Sequence, residues 1–237
     1  MIVIENLSVS FGGVQAIREL STRFDDPVVG VIGPNGAGKT TLLNVFSGFV
    51  AHQAGMVTAF GGDLLKLPAH RRTRWGLRRS FQTEQVVDDL TVSDNIRVIL
   101  DGASGELTKK RDDIDRALDF VGLTARAEIL GEELNSYERR MVELAKCVVG
   151  APKLIMLDEP GAGLGDAEAD SLRKKILSIH DEFGANIMLI DHDVELIADT
   201  CTTTLVLDFG VLIAQGSTAD VLQDEKVKLA YLGEEIA

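Results

Sequence analysis

Residues Gly33, Pro34, Asn35, Gly36, Ala37, Gly38, Lys39 and Thr40 fit the pattern G-x-x-x-x-G-K-[ST]. That spacing lets a glycine-rich backbone close its amide groups around phosphate oxygens. A lysine in that place reaches the β- and γ-phosphates of a nucleoside triphosphate, and the hydroxyl after it can ligate Mg²⁺. Thr41 extends the hydroxyl pair into the helix that should follow, whose N-terminus adds positive potential. A second cluster, Asp158-Glu159-Pro160, ends an apolar run. An aspartate delivered by a strand beside a phosphate loop supplies a further Mg²⁺ contact. The neighbouring glutamate can orient and deprotonate an attacking water.

The elements that must hold these groups are legible from the apolar pattern. Val28-Val29-Gly30-Val31-Ile32 before the loop reads as a buried strand, and Thr41-Leu42-Leu43-Asn44-Val45-Phe46 after it has helical spacing. Ile2-Val3-Ile4 and Leu7 to Phe11 read as two short strands separated by Glu5-Asn6, with a turn at Phe11-Gly12-Gly13. Met56 to Phe60 reads as another strand, followed by a turn at Gly61-Gly62-Asp63. The segment from Val92 to Val149 reads as mainly helical. Ile114, Leu118 and Val121 share one helix face there, and Met141, Leu144, Ala145 and Val148 share another. Continuous apolar runs at 154–157 and 187–190 suit central parallel strands, joined through a helix over 167–183 into a β-α-β unit. The stretches 205–210 and 211–214 suggest a closing hairpin. The helical stretch is thus expected as an insertion in an α/β core.

Composition narrows the setting. The chain has 237 residues, 45% of them hydrophobic, and a formal net charge of −13. Such an acidic balance argues against non-specific binding to nucleic acid. No apolar run approaches the length that spans a bilayer, and the N-terminal residues lack the pattern of a secretion signal. Cys147 and Cys201 lack metal-ligand spacing and are expected to be reduced and structural, in a reducing compartment. Lys109 to Asp113 reads as a solvated helix start. The cluster His70-Arg71-Arg72-Thr73-Arg74, with Arg78-Arg79, reads as an exposed basic face. Its sharper reading is contact with anionic lipid head groups or an acidic partner.

With both clusters in this order, the chain resembles the ATP-binding cassette (ABC) family over essentially its whole length. Ser80-Phe81-Gln82 fits that family's glutamine loop. Leu189-Ile190-Asp191-His192-Asp193 fits its switch histidine, and Phe11 fits the aromatic that stacks on adenine. The resemblance implies an α/β fold: a P-loop NTPase (RecA-like) core with an N-terminal antiparallel β subdomain and an inserted helical subdomain. One cassette domain is expected over 1–237, with its core at 1–82 and 151–237 and the helical part at about 83–150. It implies ATP and Mg²⁺ as ligands. Thr40, Gln82 and Asp158 would be placed toward the metal, and Glu159, His192 and Gln82 toward the reaction.

A narrower resemblance, to the ATPases of branched-chain amino acid importers, rests on Gly76 to Gln82 and on the tail Ala230-Tyr231-Leu232-Gly233-Glu234. It implies a cytoplasmic subunit, peripheral on the inner face of the membrane, that energises import of amino acids or similar small polar solutes. Its partners would be permease subunits, a second ATPase subunit in a homo- or heterodimer and, indirectly, an extracytoplasmic solute-binding protein. Two alternatives stand beside it: a soluble cassette ATPase outside transport, and a nucleotide-gated subunit with little hydrolysis.

The chain departs from the family at its signature, close to L-S-G-G-Q in relatives. Here it reads Leu134-Asn135-Ser136-Tyr137-Glu138. In the family this segment faces the ATP of the partner subunit. Asn135 can still donate a hydrogen bond, whereas Tyr137 puts a side chain where backbone should approach phosphate. The loop Ala162-Gly163-Leu164-Gly165 also lacks the acidic residue usual in relatives. These changes lie on the face offered to a partner, so the expectation is an asymmetric pair with a different cassette subunit.

Overall fold

The computed structural model of the chain describes residues 1–101 and 107–232. Gly233 and Glu234, with the side chains of Tyr231 and Leu232, lie outside the described residues, and with them most of the tail resemblance.

The first elements are β1 (Ile2–Phe11), β2 (Val14–Phe24), β3 (Val28–Ile32), α1 (Lys39–Ser47), β4 (Ala54–Ala59) and β5 (Gly62–Asp63). Then come α2 (Ala69–Trp75), β6 (Leu77–Arg79), α3 (Val92–Leu100), α4 (Leu107–Val121) and α5 (Ser136–Val148). They are followed by β7 (Leu154–Asp158), α6 (Asp166–Phe183), β8 (Asn186–Ile190), α7 (Val194–Thr200), β9 (Thr203–Asp208), β10 (Val211–Ser217) and α8 (Thr218–Gln223). The chain divides into two compact units, Met1–Thr73 with Ile187–Ala237, and Arg74–Asn186.

The first unit holds an antiparallel sheet in the order β2-β1-β4-β5. It also holds β3, paired in parallel with both β8 and β9, with β10 antiparallel to β9. Every residue of β3 is buried, as the unbroken apolar run requires. On α1, Leu42, Leu43, Val45 and Phe46 are buried, which explains the helical spacing after the phosphate motif. The two short strands expected before and after Glu5-Asn6 are one strand. The pairing with β2 shifts register between Ile4 and Leu7, and Asn6 adopts φ 47°. Its N–H donates to Ser21 Oγ at 2.9 Å. The polar pair therefore marks a bulge, which keeps the apolar residues on one face across the irregularity.

In the second unit, β6 lies parallel to β7, with Arg79 opposite Met156. The predicted helical stretch resolves into α3, α4 and α5, with short 3₁₀ turns at Thr124–Arg126 and Gly131–Glu133. Thr91 caps α3 by accepting from the Asp94 N–H. Ile114, Leu118 and Val121 are buried, as are Met141, Leu144, Ala145 and Val148, as the periodicity requires. The charged start of α4 is largely exposed, as expected.

The basic cluster around position 72 is not a uniform exposed face. His70, Arg71 and Arg74 are exposed, but Arg72 is buried. Its guanidinium donates to the carbonyls of Phe46 at 2.8 Å and Leu67 at 2.7 Å, and to that of Val45. It thereby adds a donor to the carbonyls of Val45 and Phe46 in the last turn of α1. A sequence pattern cannot distinguish that use of an arginine from a solvated one.

Candidate functional site

In the first unit, the loop between β3 and α1 is shaped by glycine. Gly33, Gly36 and Gly38 adopt φ 148°, 81° and 105°. A Cβ on Gly33 would fall 2.0 Å from the Leu207 carbonyl oxygen, and one on Gly38 would fall 2.5 Å from that of Ala16. Both the backbone region and the available space therefore demand glycine at these two positions. Lys39 folds over the loop and donates to the carbonyls of Gly33 at 2.5 Å and Pro34 at 3.0 Å. The Ala37 carbonyl accepts from the Gly210 N–H at 2.9 Å, which ties the β9–β10 turn to the loop. Asn35 and Gly36 are exposed, and Thr40 and Thr41 open α1. The result is a backbone cradle at a helix N-terminus, the arrangement suited to an anion.

Two other predicted residues belong to the same unit. Val31 of β3 lies opposite Ile190 of β8. Because the strands are parallel, Gly33 and His192 each leave the sheet at the same edge, two residues beyond a paired position. His192 is exposed, with Nδ1 3.6 Å from the carboxylate of buried Asp191. That carboxylate also accepts the Asp193 N–H at 3.0 Å, so the imidazole stands beside a fixed acid. Phe11 ends β1 and is 52% exposed, as a stacking platform needs to be. The hairpin it opens returns as β2, whose Ala16 carbonyl lies against Gly38 and Gly210.

The second unit gathers the carboxylates with the glutamine loop. Asp158 closes β7, and its N–H donates to Ser80 Oγ at 3.1 Å. The Arg79 guanidinium meets the Asp158 carboxylate at 3.0 Å, with both side chains buried. Gln82 Nε2 donates to Glu159 Oε2 at 2.8 Å. Glu159 adopts φ 50°, a left-handed conformation that costs a residue with a side chain about 1–3 kcal/mol. Parallel pairing of β6 with β7 is what brings Arg79, Ser80 and Gln82 to the two acids. Sequence reasoning placed Arg79 in a basic cluster and in the Gly76–Gln82 match, and gave it no partner. Its partner lies 79 positions away, and no local pattern signals the contact.

At the signature, Asn135 is the N-cap of α5. Its side chain accepts from the Glu138 N–H at 2.8 Å, and the Glu138 carboxylate takes the Asn135 N–H at 3.1 Å. Ser136 begins the helix. Tyr137 Oη lies 2.8 Å from Ser171 Oγ of α6, so the ring is drawn toward its own unit. Ser171 had no signal in the sequence. Both cysteines are buried, and burial pushes the Cys147 thiol up to about 12 and the Cys201 thiol up to about 11. They are inert packing residues under ordinary conditions.

Comparison with known proteins decides the class. The family profile described as ABC transporter matches residues 22–162. The chain belongs to that family. The cassette is 32% identical to the lipopolysaccharide export system ATP-binding protein LptB of Haemophilus influenzae, over 99% of this chain and 98% of that one. It is 30% identical to the high-affinity branched-chain amino acid transport ATP-binding protein BraF of Pseudomonas aeruginosa, over 98% of this chain and 97% of that one. Among solved structures, the ADP conformation of MJ1267, an ATP-binding cassette of an ABC transporter, superposes with a TM-score of 0.87 at 25% identity, covering 98% of each chain. The cassette is accordingly an ATP-binding subunit whose ATPase activity energises a membrane transporter. Among the described residues, no helix is long and apolar enough to cross a membrane.

Proposed function

We propose that the cassette hydrolyses Mg²⁺-bound ATP to drive import of amino acids or similarly small polar solutes. The observation that carries the reading is the loop 33–41, where glycine geometry, Lys39 and a helix N-terminus converge on an anion cradle. Amides of residues 33–41 and Lys39 would hold the β- and γ-phosphates, and Phe11 would stack on the base. The oxygen donors of Thr40, Gln82 and Asp158 suit Mg²⁺, which takes few protein ligands when phosphates supply the rest. Arg79 already pairs with the Asp158 carboxylate, so Mg²⁺ would share or displace that pair. Bound Mg²⁺ would neutralise charge developing on the phosphate oxygens. Glu159 takes the proton of the attacking water, and His192 donates to the γ-phosphate.

The functional division that suits this reading is a core of 1–82 with 151–237 and a helical part of about 83–150. The cassette would sit on the cytoplasmic face of the membrane, against permease subunits and a second cassette subunit. Departures at Asn135, Ser136, Tyr137 and Glu138 support a heterodimer with unequal ATP sites. Similarity to BraF, and to LivG of Salmonella typhimurium at 31% identity over 99% of this chain, favours the amino acid substrate class. Similarity to LptB, at 32% identity, favours a second reading, export of lipopolysaccharide.

Glu159→Gln in the assembled complex tests the chemistry. ATP binding should persist while turnover falls about 10²-fold or more. Near-normal phosphate release would remove Glu159 from the role of base. Comparing this variant with its counterpart in the second subunit tests the asymmetry, since equal losses would abolish it. Uptake by reconstituted vesicles, with amino acids and lipopolysaccharide as rival substrates, separates the two transport readings.

A further inference from the structure

We propose that Arg79 is a positioning residue that acts as a built-in counter-cation for Asp158 and sets how much divalent cation the cassette needs to take up nucleotide. The inference rests on the proposed assignment of Asp158 to the metal.

The guanidinium is held from three directions. Strand β6 fixes its Cα opposite Met156, two residues before Asp158 on the neighbouring strand. The N–H of the next residue, Ser80, donates to the Met156 carbonyl at 2.9 Å, which locks that register. The Phe81 ring lies 4.9 Å from Arg79 Cζ, and the Asp158 carboxylate 3.0 Å from its Nη2. With the Arg79 side chain only 7% exposed, the cation cannot swing into solvent while β6 stays paired.

Placing a permanent cation there has a consequence for metal binding. A buried carboxylate with no counter-charge is costly, and it recruits a proton or any available cation. An arginine cannot give up its proton, so it supplies positive charge at every working pH. It is also diffuse and monovalent, so a compact divalent ion arriving with the phosphates can outcompete it, but only by sharing or displacing the pair. Arg79 therefore holds the Asp158 carboxylate oriented and charge-compensated in the nucleotide-free cassette. It also raises the threshold for metal, so that Mg²⁺ binds with ATP and not alone.

The experiment replaces Arg79 with a neutral residue of similar length, Arg79→Met, and with a charged one, Arg79→Lys, in the full chain. Two readouts are followed: the Mn²⁺ concentration that half-saturates binding of a fluorescent ATP analogue, and the melting temperature in MgCl₂ without nucleotide. Wild type should gain no stability from MgCl₂ alone. Arg79→Met should melt several degrees lower, recover part of that loss in MgCl₂, and need about tenfold less Mn²⁺ for the analogue. Arg79→Lys should track wild type on both readouts. Equal melting and equal Mn²⁺ thresholds for Arg79→Met and wild type would overturn the proposal. If Arg79→Met does not fold, Arg79→Met/Asp158→Asn should fold, because it removes both charges together; its failure to do so also overturns the proposal. Failure of the wild type to bind the analogue at any Mn²⁺ concentration would instead remove the reading of the nucleotide site.

Discussion

Helices α1 and α5 are each proposed to face a triphosphate at their N-termini, α1 its own and α5 that of a partner, yet the two ends are built in opposite ways. At α1 the N-cap is Gly38, with φ 105°, no side chain to satisfy the first amides, and no acidic residue in the first turn. At α5 the N-cap is Asn135, which forms a complete capping box with Glu138. An uncapped N-terminus presents roughly half a positive charge together with unpaired donors. The capping box consumes two of those donors, and its Glu138 carboxylate, paired with Arg126 at 3.0 Å, stands beside them. It stabilises the helix by about 0.5–2 kcal/mol. Helix capping and phosphate binding draw on the same amides, so a helix start optimised for one is weakened for the other. That competition is the physical content of the proposed asymmetry, and it points to Glu138 as much as to Tyr137.

The largest expected effect lies at the open end. Gly33→Ala must move either the loop or Leu207, and urea unfolding should show a loss of about 3 kcal/mol. Should this variant retain wild-type stability and ATP affinity, the contrast between a glycine-built cradle and a side-chain-built one would lose its basis. A smaller effect is expected at the closed end. Glu138→Gln keeps the capping geometry, since glutamine can serve in the box, while deleting the charge. Losing the ion pair with Arg126 should cost no more than about 1 kcal/mol, and ATPase of the assembled complex should rise severalfold. An unchanged rate would show that the carboxylate does not close this end. Smallest in its effect on turnover is Tyr137→Phe, which removes only the bond to Ser171. It should cost about 1 kcal/mol in unfolding experiments and leave turnover unaltered. A clear rise in turnover would show that the hydroxyl anchor matters to the site, and would sharpen the case for testing Tyr137→Gly.

Much of the molecule could be read without coordinates because the relevant information is local. The cradle needs three glycines, a lysine and a threonine within eight residues, and the short, β-branched apolar run before it suits a fully buried strand. Helices α3 to α5 and α6 follow from residues spaced three and four apart, whose burial is a matter of one turn. Where the reading faltered, the deciding contact joined distant segments. Glu5-Asn6 looked like a break because a bulge is defined by its partner strand. Arg72 looked solvated because two of the carbonyls it meets, those of Val45 and Phe46, belong to α1, far away in the chain.

The sequence by itself determined the phosphate loop, the acidic pair at 158 and 159 and the alternation of strands and helices, since each is written in neighbouring residues. Only the tertiary structure decided that Arg79 faces Asp158, that Gln82 holds Glu159 and that Tyr137 leans on Ser171. Strand register and helix packing choose such partners, and neither exists until segments far apart in the chain have met.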